Sequence, residues 1–283
     1  RIIPEGSSRT IALEAGEIDV IIETEANDIA RLEEDPDVTV YNVDGTRLNV
    51  LAMNNEVYPF NNVDFRRAVN AAIDRDAVIA VACNGMGTKA VAQTPSVFEG
   101  CTEAGAQDYD IEKAKEYLEK SGIDPKTVSF SCICSDDVKR RCGEVIQANL
   151  QELGITMNLE SMDLATYLST AAEGNFDTCI GSYTSSNMMG FIEGKFTTKS
   201  INGSNWTRTT DPKIDELYKK ATQTLDDKER NKILTECANY INEVCPQVPT
   251  YGANVTRAYN SKLQGIEVSA TNTLRWQFVS WGE

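Results

Sequence analysis

The chain has 283 residues, of which 41% are hydrophobic and 25% are charged, which is typical of one large or two medium globular domains. Its 27 basic residues against 43 acidic ones give a net charge of −16, which disfavours a nucleic-acid partner because phosphate backbones are repelled. Histidine is absent, so Ser-His-Asp and Cys-His catalytic pairs are excluded. No apolar run approaches the ~18 residues of a membrane-spanning helix. Because the chain begins with Arg1, we expect a processed or truncated N-terminus.

The first 53 residues predict short helices and strands in alternation. Residues 9–24 (TIALEAGEID, then VIIET) predict a helix that leads into a strand, and residues 25–32 predict a second helix. The stretch DPDVTVYNVDGTRLNVLAMN predicts two strands around a turn at Asp44-Gly45, since Asp-Gly is a typical hairpin signal.

Residues 65–87 (FRRAVNAAIDRDAVIAVACNGMG) predict two helices that meet at a corner. Apolar residues recur at three- and four-residue spacing before and after an acid–base–acid triplet. Asp64 is the predicted cap of the first helix, and Asp74 is the predicted cap of the second. Asn84 or Gly85 would take the left-handed position that ends the second helix.

The remainder of the chain continues this alternation. Residues 110–121 predict an amphipathic helix, and residues 127–162 predict a strand–helix–strand unit. The next predicted elements are a helix at 164–173, the strand FDTCIGSY and a long unpatterned loop at 184–210. Helices at 214–224 and 227–244 follow, and the chain closes with strands in QVPTYGANVTRAY, GIEVSA and residues 276–281. Such alternation predicts an α/β fold with parallel strand pairs.

Eight cysteines favour disulfide bonds in an oxidising compartment, because the count is even and local partners exist. The local pairs are Cys83 with Cys101 and Cys237 with Cys245; the others are Cys132, Cys134, Cys142 and Cys179. Two alternatives remain for these last four residues. They are buried free thiols, or a thiol-based metal or redox module, whose C-x-C opening departs from the usual zinc spacing.

Other motifs with chemical meaning favour structural roles. GFIEGKF is one residue short of a phosphate-binding loop, and Phe196 stands where Ser or Thr would bind magnesium. Asp136-Asp137 and Asp226-Asp227 stand at predicted helix starts, where capping and the helix dipole explain acidic pairs better than a catalytic dyad does. The sequence therefore predicts no metal and no cofactor.

An aromatic and polar set follows the strand FDTCIGSY. An aromatic face with small hydrogen-bonding groups at the carboxyl end of a strand is typical of ligand sites in α/β folds. The candidate ligand-binding residues are Tyr183, Ser185, Ser186, Asn187, Asn205 and Trp206. The alternative is a solvent loop with one anchoring aromatic residue, and the residues alone do not decide between the two.

Five separated motifs resemble one protein family. They are ALEAGEIDV (12–20), NNVDFRRAVNAAIDRDAVIAVACNGMGTKA (61–90), YDIEKAKEYLEKSGI (109–123), the stretch from IQANLQELG to FDTCIGSY (146–183), and the stretch from TTDPKIDEL to PQVPTY (209–251). Their order and spacing resemble family 5 of the extracytoplasmic solute-binding proteins of ABC importers, which includes dipeptide, oligopeptide and nickel binders. In that family the Asp-Arg-Asp corner is structural.

The resemblance implies a two-lobe architecture of the periplasmic-binding-protein type II kind, here mainly the C-terminal lobe. Residues 1–48 would end lobe I, residues 49–265 would form lobe II, and residues 266–283 would return to lobe I. The implied function is non-enzymatic: capture of a small solute, by default a peptide, in the cleft between lobes and delivery to an ABC permease in the membrane. The implied location is extracytoplasmic, either in the periplasm or at the cell surface as a lipoprotein.

The resemblance also implies which residues would contact a peptide. Family peptide binders carry a tryptophan and then an aspartate after this strand, and the aspartate pairs with the amino terminus of the peptide. Counted without gaps from Phe176-Asp177, Tyr183 takes the tryptophan position and Ser186 the aspartate position. Loss of that carboxylate removes an anchor of about 1.5–3 kcal/mol. A modified peptide, a sugar or a metal chelate therefore joins the simple peptide as a candidate solute.

Overall fold

The computed structural model describes residues 1–282 and contains one mixed sheet of seven strands. The strand order is β1-β7-β2-β6-β4-β5, and β3 pairs with β7. The strands are Val20–Ile21 (β1), Val38–Met53 (β2), Thr88–Lys89 (β3), Ser129–Cys134 (β4), Thr156–Ser161 (β5), Thr178–Tyr183 (β6) and Gln247–Asn260 (β7). Leu263–Gln264 (β8) and Ser280–Trp281 (β9) form a separate two-stranded sheet.

Ten α-helices pack around the main sheet in the described part of the chain. They are Gly6–Glu14 (α1), Ala26–Glu33 (α2), Val63–Ala72 (α3), Arg75–Cys83 (α4), Ile111–Ser121 (α5), Asp137–Glu152 (α6), Leu164–Glu173 (α7), Met188–Phe196 (α8), Pro212–Gln223 (α9) and Asp227–Val244 (α10). Within residues 1–282, no helix is both long enough and apolar enough to span a bilayer.

The predicted strand–helix–strand unit is confirmed. β4 lies between β5 and β6 and is parallel to both, and α6 connects β4 to β5. Asp136 caps α6 by accepting a hydrogen bond from the Lys139 amide, and Asp226 caps α10 in the same way. The acidic pairs at these helix starts are therefore accounted for by capping.

Alternating residues of β2 separate two hydrophobic clusters on the two faces of the sheet. Leu51 and Met53 belong to the first core cluster, with residues of α3, α4, α5 and α6. Val50 and Ala52 belong to the second core cluster, with residues of α7, α8, α9 and α10. Helices on both faces of a partly parallel sheet confirm the predicted α/β class.

A third and smaller cluster lies at the other end of the two longest strands. It contains Leu13, Ile21, Leu32 and Ala258, so it joins α1, β1 and α2 to the last part of β7. β2 and β7 pair with each other along almost their whole length and connect this third cluster to the other two.

The predicted turn at Asp44-Gly45 is wrong, because β2 continues through it as one strand. The register with β7 shifts between Asp44 and Arg47, which is a bulge. A Cβ atom at Gly45 would lie 2.7 Å from the carbonyl oxygen of Ala253, so only glycine allows this close approach. The Asp-Gly signal marks the bulge, and the partner strand, about 200 residues away, overrides the hairpin.

The helical corner is confirmed with one correction. Asp74 caps α4, and Asn84 ends it with a left-handed φ of 51°. The cap of α3 is Asn62 rather than the predicted Asp64, since the Asn62 side chain accepts hydrogen bonds from the amides of Asp64 and Phe65. Asp64 lies in the first turn, where it pairs with Arg67.

Arg75 explains why a basic residue interrupts the apolar pattern at this corner. Its side chain is fully buried and donates to the carbonyl oxygens of Ala90 and Pro249, both at 2.9 Å. It also donates to the Asn70 side chain at 2.5 Å and to the Ile73 carbonyl oxygen at 3.2 Å. Desolvation lowers the pKa of Arg75 to about 10, so it stays charged at neutral pH. The guanidinium thus joins both helices to β7.

The long loop predicted at 184–210 contains a helix, α8. Its residues Met188, Phe191, Ile192 and Phe196 are buried, and so is Lys195. A helix that is apolar on most sides has no amphipathic period, which is why the pattern did not reveal it.

The closing segments also differ from the prediction. GIEVSA forms no strand: its contact is a single bridge between Val268 and Leu274. The tail predicted as a strand begins as a 3-10 helix, Trp276–Phe278, and only Ser280–Trp281 is extended. These segments pair over two residues at most, so tertiary context rather than propensity sets their conformation.

Candidate functional site

The candidate site lies where β6 ends and α8 begins. Residues 184–187 connect the two, and Asn187 caps α8 by accepting a hydrogen bond from the Gly190 amide at 2.8 Å. The Ser185 hydroxyl donates to the Asn187 carbonyl oxygen at 3.1 Å. Ser186 and Asn187 are exposed, while Ser185 is half-buried. The predicted polar residues of this loop therefore stand at a helix N-terminus, beside the carboxyl end of a strand.

Tyr183 is half-buried and packs on α8. Its ring lies edge-on to Phe191 with centroids 5.4 Å apart. Gly194 leaves room for the Tyr183 hydroxyl, because a Cβ atom there would overlap it. Tyr183 remains partly exposed at the end of β6, so part of its side chain is open to a ligand.

Trp206 is the second half-buried aromatic residue of the site. Its ring packs over Gly181 of β6, where a Cβ atom would lie 2.9 Å from it, and edge-on to Tyr167 with centroids 5.7 Å apart. Its Nε1 donates to the Gly203 carbonyl oxygen at 3.0 Å. Both predicted aromatic residues thus lie on the same face of β6, the face that meets α8.

Lys195 lies between these two rings, and the pattern in the sequence did not identify it. Its Nζ atom is 5.4 Å from the centroid of Tyr183 and 5.0 Å from that of Trp206. It donates to the Ser204 carbonyl oxygen at 3.3 Å and is 1% exposed. Desolvation lowers the pKa of Lys195 to about 8. A single lysine in the apolar stretch MMGFIEGKF is the only signal that could have found it.

Asn205 is placed differently from the prediction. It is 1% exposed, and its side-chain amide donates to the carbonyl oxygens of Thr197 and Thr209, both at 3.0 Å. Its side-chain oxygen accepts a hydrogen bond from the Thr207 hydroxyl at 2.8 Å. These bonds satisfy buried backbone groups of the segment after α8, so Asn205 has no surface to offer a ligand.

Two cavities flank the loop. Ser186 and Asn187 line one of about 450 Å³, together with Phe98, Met189 and Arg230. The other, of about 240 Å³, lies at the bulge of β2 and is reached by Thr184. The loop therefore separates a cavity at the α8–α10 side from one at the bulge.

The predicted disulfides are absent, because all eight cysteines are free thiols. Cys83 packs against the first core cluster and Cys101 against the second, so the sheet separates this pair. Cys237 lies within α10, whereas the Cys245 thiol points to the carbonyl oxygens of Arg66 and Gln247. Each of these thiols has its own packed environment.

The metal or redox alternative also fails on geometry. Cys132, Cys134 and Cys142 belong to the first core cluster, but Cys179 belongs to the second, on the other face of the sheet. Burial raises the pKa of Cys142 and of Cys179 to about 12, so both stay protonated at neutral pH and are poor metal ligands. Residues 1–282 contain no cluster of three or more Cys, Asp or Glu side chains arranged to hold a metal ion.

The structure is an α/β unit whose two longest strands continue to a smaller hydrophobic cluster. The family model for bacterial extracellular solute-binding proteins, family 5, matches residues 1–202. This chain belongs to that family. The resemblance seen in the five sequence motifs is thereby confirmed.

Individual relatives agree with this assignment. The chain is 27% identical to Heme-binding protein A of Haemophilus influenzae over 88% of its own length and 47% of that protein. It is 25% identical to the dipeptide-binding protein of Escherichia coli, over 99% of its own length and 54% of that protein. The structure of HbpA2 from Haemophilus parasuis matches with a TM-score of 0.89 at 27% identity, covering all of this chain and 57% of that one. The chain thus spans about half the length of the curated relatives it matches.

Proposed function

We propose that this protein is the substrate-binding component of an ABC importer, and that it captures a small solute without making or breaking a covalent bond. The observation that carries the proposal is the position of the loop 184–187. It follows the carboxyl end of β6 and lies beside the bulge of β2, where the strands leave the large unit. In α/β folds, ligands bind at such strand ends.

The two-lobe division belongs to the same proposal. Residues 1–48 would end lobe I, 49–265 would form lobe II, and 266–283 would return to lobe I. The pairing of β7 residues 254–260 with β2 residues 38–44 supports a second crossing near residue 253, earlier than residue 265. The bulge then lies at the hinge, where β2 and β7 pass between lobes.

The solute would bind in the cleft between the lobes. On this side it would meet the partly exposed side chains of Tyr183 and Trp206 and the polar groups of Ser185, Ser186 and Asn187. Asn205 is no longer part of this set, because it is buried. Closure of the lobes would be favoured only by the extra contacts that the closed state makes with the solute.

The solute class, the partner and the location follow the family. A peptide or peptide-like molecule is the proposed solute, an ABC permease in the membrane is the proposed partner, and the proposed location is extracytoplasmic. The dipeptide-binding and heme-binding names of the relatives support a solute with polar and aromatic or aliphatic parts. The polar loop and the two partly exposed aromatic side chains suit such a molecule.

A thermal-shift screen of the purified chain tests the proposal. The library would contain dipeptides, tripeptides, sugars and metal chelates, since a ligand of the folded state raises the melting temperature by mass action. The affinity of each responding compound would then be measured for Tyr183→Ala, with Tyr109→Ala, at an exposed tyrosine, as a control. We expect a three- to tenfold loss for Tyr183→Ala, from lost aromatic contact. Unchanged affinity would remove the support for this site.

A further inference from the structure

The cavity at the bulge of β2 has a polar lining that the proposed peptide contacts do not use. Its volume is about 240 Å³, and its walls come from β2, β7, the loop after β6 and residues 270–272. The polar side chains that matter here are those of Thr46, Arg47 and Thr184. The cavity lies at the proposed hinge, so a ligand group bound there would touch both sides of it.

Arg47 is a cation without a protein counter-ion. It is exposed, and no carboxylate of residues 1–282 lies within ion-pair distance of it. Its Nε donates weakly to the Thr184 hydroxyl at 3.4 Å. Other arginines that lack an ion pair, such as Arg66 and Arg141, donate to backbone carbonyl oxygens instead. The terminal nitrogens of Arg47 therefore remain available in a chain that is otherwise strongly acidic.

Thr46 is the second observation at this cavity. It is 3% exposed, and its hydroxyl is buried without a hydrogen-bond partner among the described residues. Thr46 lies in the bulge, where the register with β7 shifts between Asp44 and Arg47, and its neighbour Arg47 is exposed. A buried hydroxyl without a partner is unusual in folded proteins, and a bound water or ion is one explanation for it.

From this placement we infer that the cavity binds a carboxylate of the solute, with Arg47 as the charged donor and the hydroxyls of Thr46 and Thr184 as further donors. A planar guanidinium can bind both oxygens of a carboxylate. This inference rests on the proposed function and narrows its substrate class to solutes that carry an acid. It also fits the serine at position 186, where the peptide binders of the family carry an aspartate. Without that aspartate the protein would recognise the carboxylate of the solute rather than its amino group.

One acidic residue opposes an anion at this cavity. Glu23 also lines it, and its carboxylate would repel the acid of a solute. Glu23 interacts electrostatically with Arg257, a buried arginine of β7 that reaches the backbone of Ile22 and Asn272. Arg257 does not line the cavity, so Arg47 is the lining cation that offsets Glu23, and an acid bound there would be held by Arg47 together with the two threonine hydroxyls.

The experiment uses matched acids and amides with the complete 283-residue chain. The first set is Ala-Phe, its C-terminal amide and N-acetyl-Ala-Phe, and the second is glucuronate with glucuronamide. Binding is measured by calorimetry, and the amide signals of Thr46, Arg47 and Thr184 are followed by NMR. We expect at least one free acid to bind about tenfold or more tightly than its amide, because a hydrogen bond to a charged group is lost. N-acetylation of Ala-Phe should change little.

Variants connect this preference to the cavity. Arg47→Gln should reduce the acid-over-amide ratio to less than twofold, and Arg47→Lys should keep part of it. Arg140→Gln, at a partly exposed arginine of α6, should leave the ratio unchanged. Arg47 is exposed, so the variant should fold, and its melting temperature is recorded alongside. Equal binding of acids and amides, or a preference that survives Arg47→Gln, overturns this inference alone and leaves the proposed function standing. If neither these acids nor any compound of the thermal-shift library binds, both fail.

Discussion

The arginine side chains at the helical corner (Arg75) and at the bulge of β2 (Arg47) have opposite environments. At the corner every part of the guanidinium meets an acceptor from the protein, and the side chain is fully buried. At the bulge the guanidinium is exposed with one long hydrogen bond, and the neighbouring Thr46 hydroxyl is buried without a partner. Buried polar groups cost free energy unless they are satisfied, so the first region is built for stability. In the second region, the guanidinium of Arg47 and the hydroxyl of Thr46 would be available to bind a ligand.

The largest expected effect comes from breaking the corner. Arg75→Met should lower the free energy of unfolding by about 3–5 kcal/mol, because the carbonyl oxygens of Ala90 and Pro249 and the Asn70 side chain are left buried without a donor. Urea denaturation measures this, with Arg47→Met as the matched control. We expect Arg47→Met to change stability by less than about 0.5 kcal/mol, as exposed substitutions usually do. Equal losses in the two variants would contradict the contrast.

The pH dependence of stability tests whether the ammonium group of Lys195 is buried beside the candidate site. Its folded-state pKa, about 8, lies below the ordinary value of 10.5, so the unfolded chain binds more protons between these two pH values. The contribution of Lys195 to stability therefore increases as the pH rises through this window. Relative to Lys195→Met, the wild-type protein should gain about 2 kcal/mol between pH 7.5 and 9.5.

The comparison with Lys195→Met is needed because other groups titrate in the same range. Burial raises the pKa of several thiols, which makes the total stability fall as pH rises above their unfolded values. Thiols that do not interact with Lys195, such as Cys142 and Cys245, cancel in the difference, whereas Cys179 interacts with Lys195 and contributes to it. The exposed Lys228→Met serves as the control and should show a flat difference. A flat difference for Lys195→Met as well would mean that the ammonium is not buried between Tyr183 and Trp206.

Ser186→Asp adds a negative charge to the loop and tests whether residue 186 contacts the solute. If the site is the family cleft, a carboxylate at residue 186 should pair with the amino group of a dipeptide and raise its affinity by about 1.5–3 kcal/mol, tenfold or more. Calorimetry with Ala-Phe and N-acetyl-Ala-Phe measures the effect, and only the free amine should gain. Glu173→Asp, at an exposed carboxylate on α7, is the control. No gain for the free amine would place residue 186 outside the cleft.

The smallest effect concerns the cap of α3. Asn62→Ala should lower the free energy of unfolding by about 1 kcal/mol, because the amides of Asp64 and Phe65 lose their acceptor. Asp64→Ala should cost less, since Asp64 forms only a partly exposed ion pair with Arg67. Chemical denaturation of the two variants ranks their losses of stability. A larger loss for Asp64→Ala would mean that Asp64, as the sequence predicted, is the cap of α3.

Much of the fold could be predicted because local signals agreed with the tertiary structure. The corner has an apolar period, a capping Asp74 and a left-handed Asn84, and each is decided within a few residues. The helix α8 could not be predicted in this way. Its apolar residues pack with the sheet and with α9 and α10, so they carry no period. Its glycines mark no turn: Gly194 leaves room for Tyr183 and Gly190 for the Ser185 hydroxyl.

The position of the candidate loop in the fold could be predicted from the sequence, but the contacts of its residues could not. The carboxyl end of β6 and its polar loop follow from the strand and the residues after it. The roles of Asn205 and Thr46 depend on segments that are distant in sequence or on a bulge, and polarity alone suggested that Asn205 is accessible. Lys195 was hidden for the opposite reason, since a lysine in an apolar stretch gives no sign of which aromatic rings it will meet.

The most direct test of the central claim is an NMR titration of the chain with the tightest compound from the thermal-shift screen. The account predicts that backbone signals of residues 183–187 and of Thr46 and Arg47 shift as the compound binds, while those of residues 74–85 at the corner stay in place. Shifts confined to the corner, or to residues outside the loop and the bulge, would contradict it.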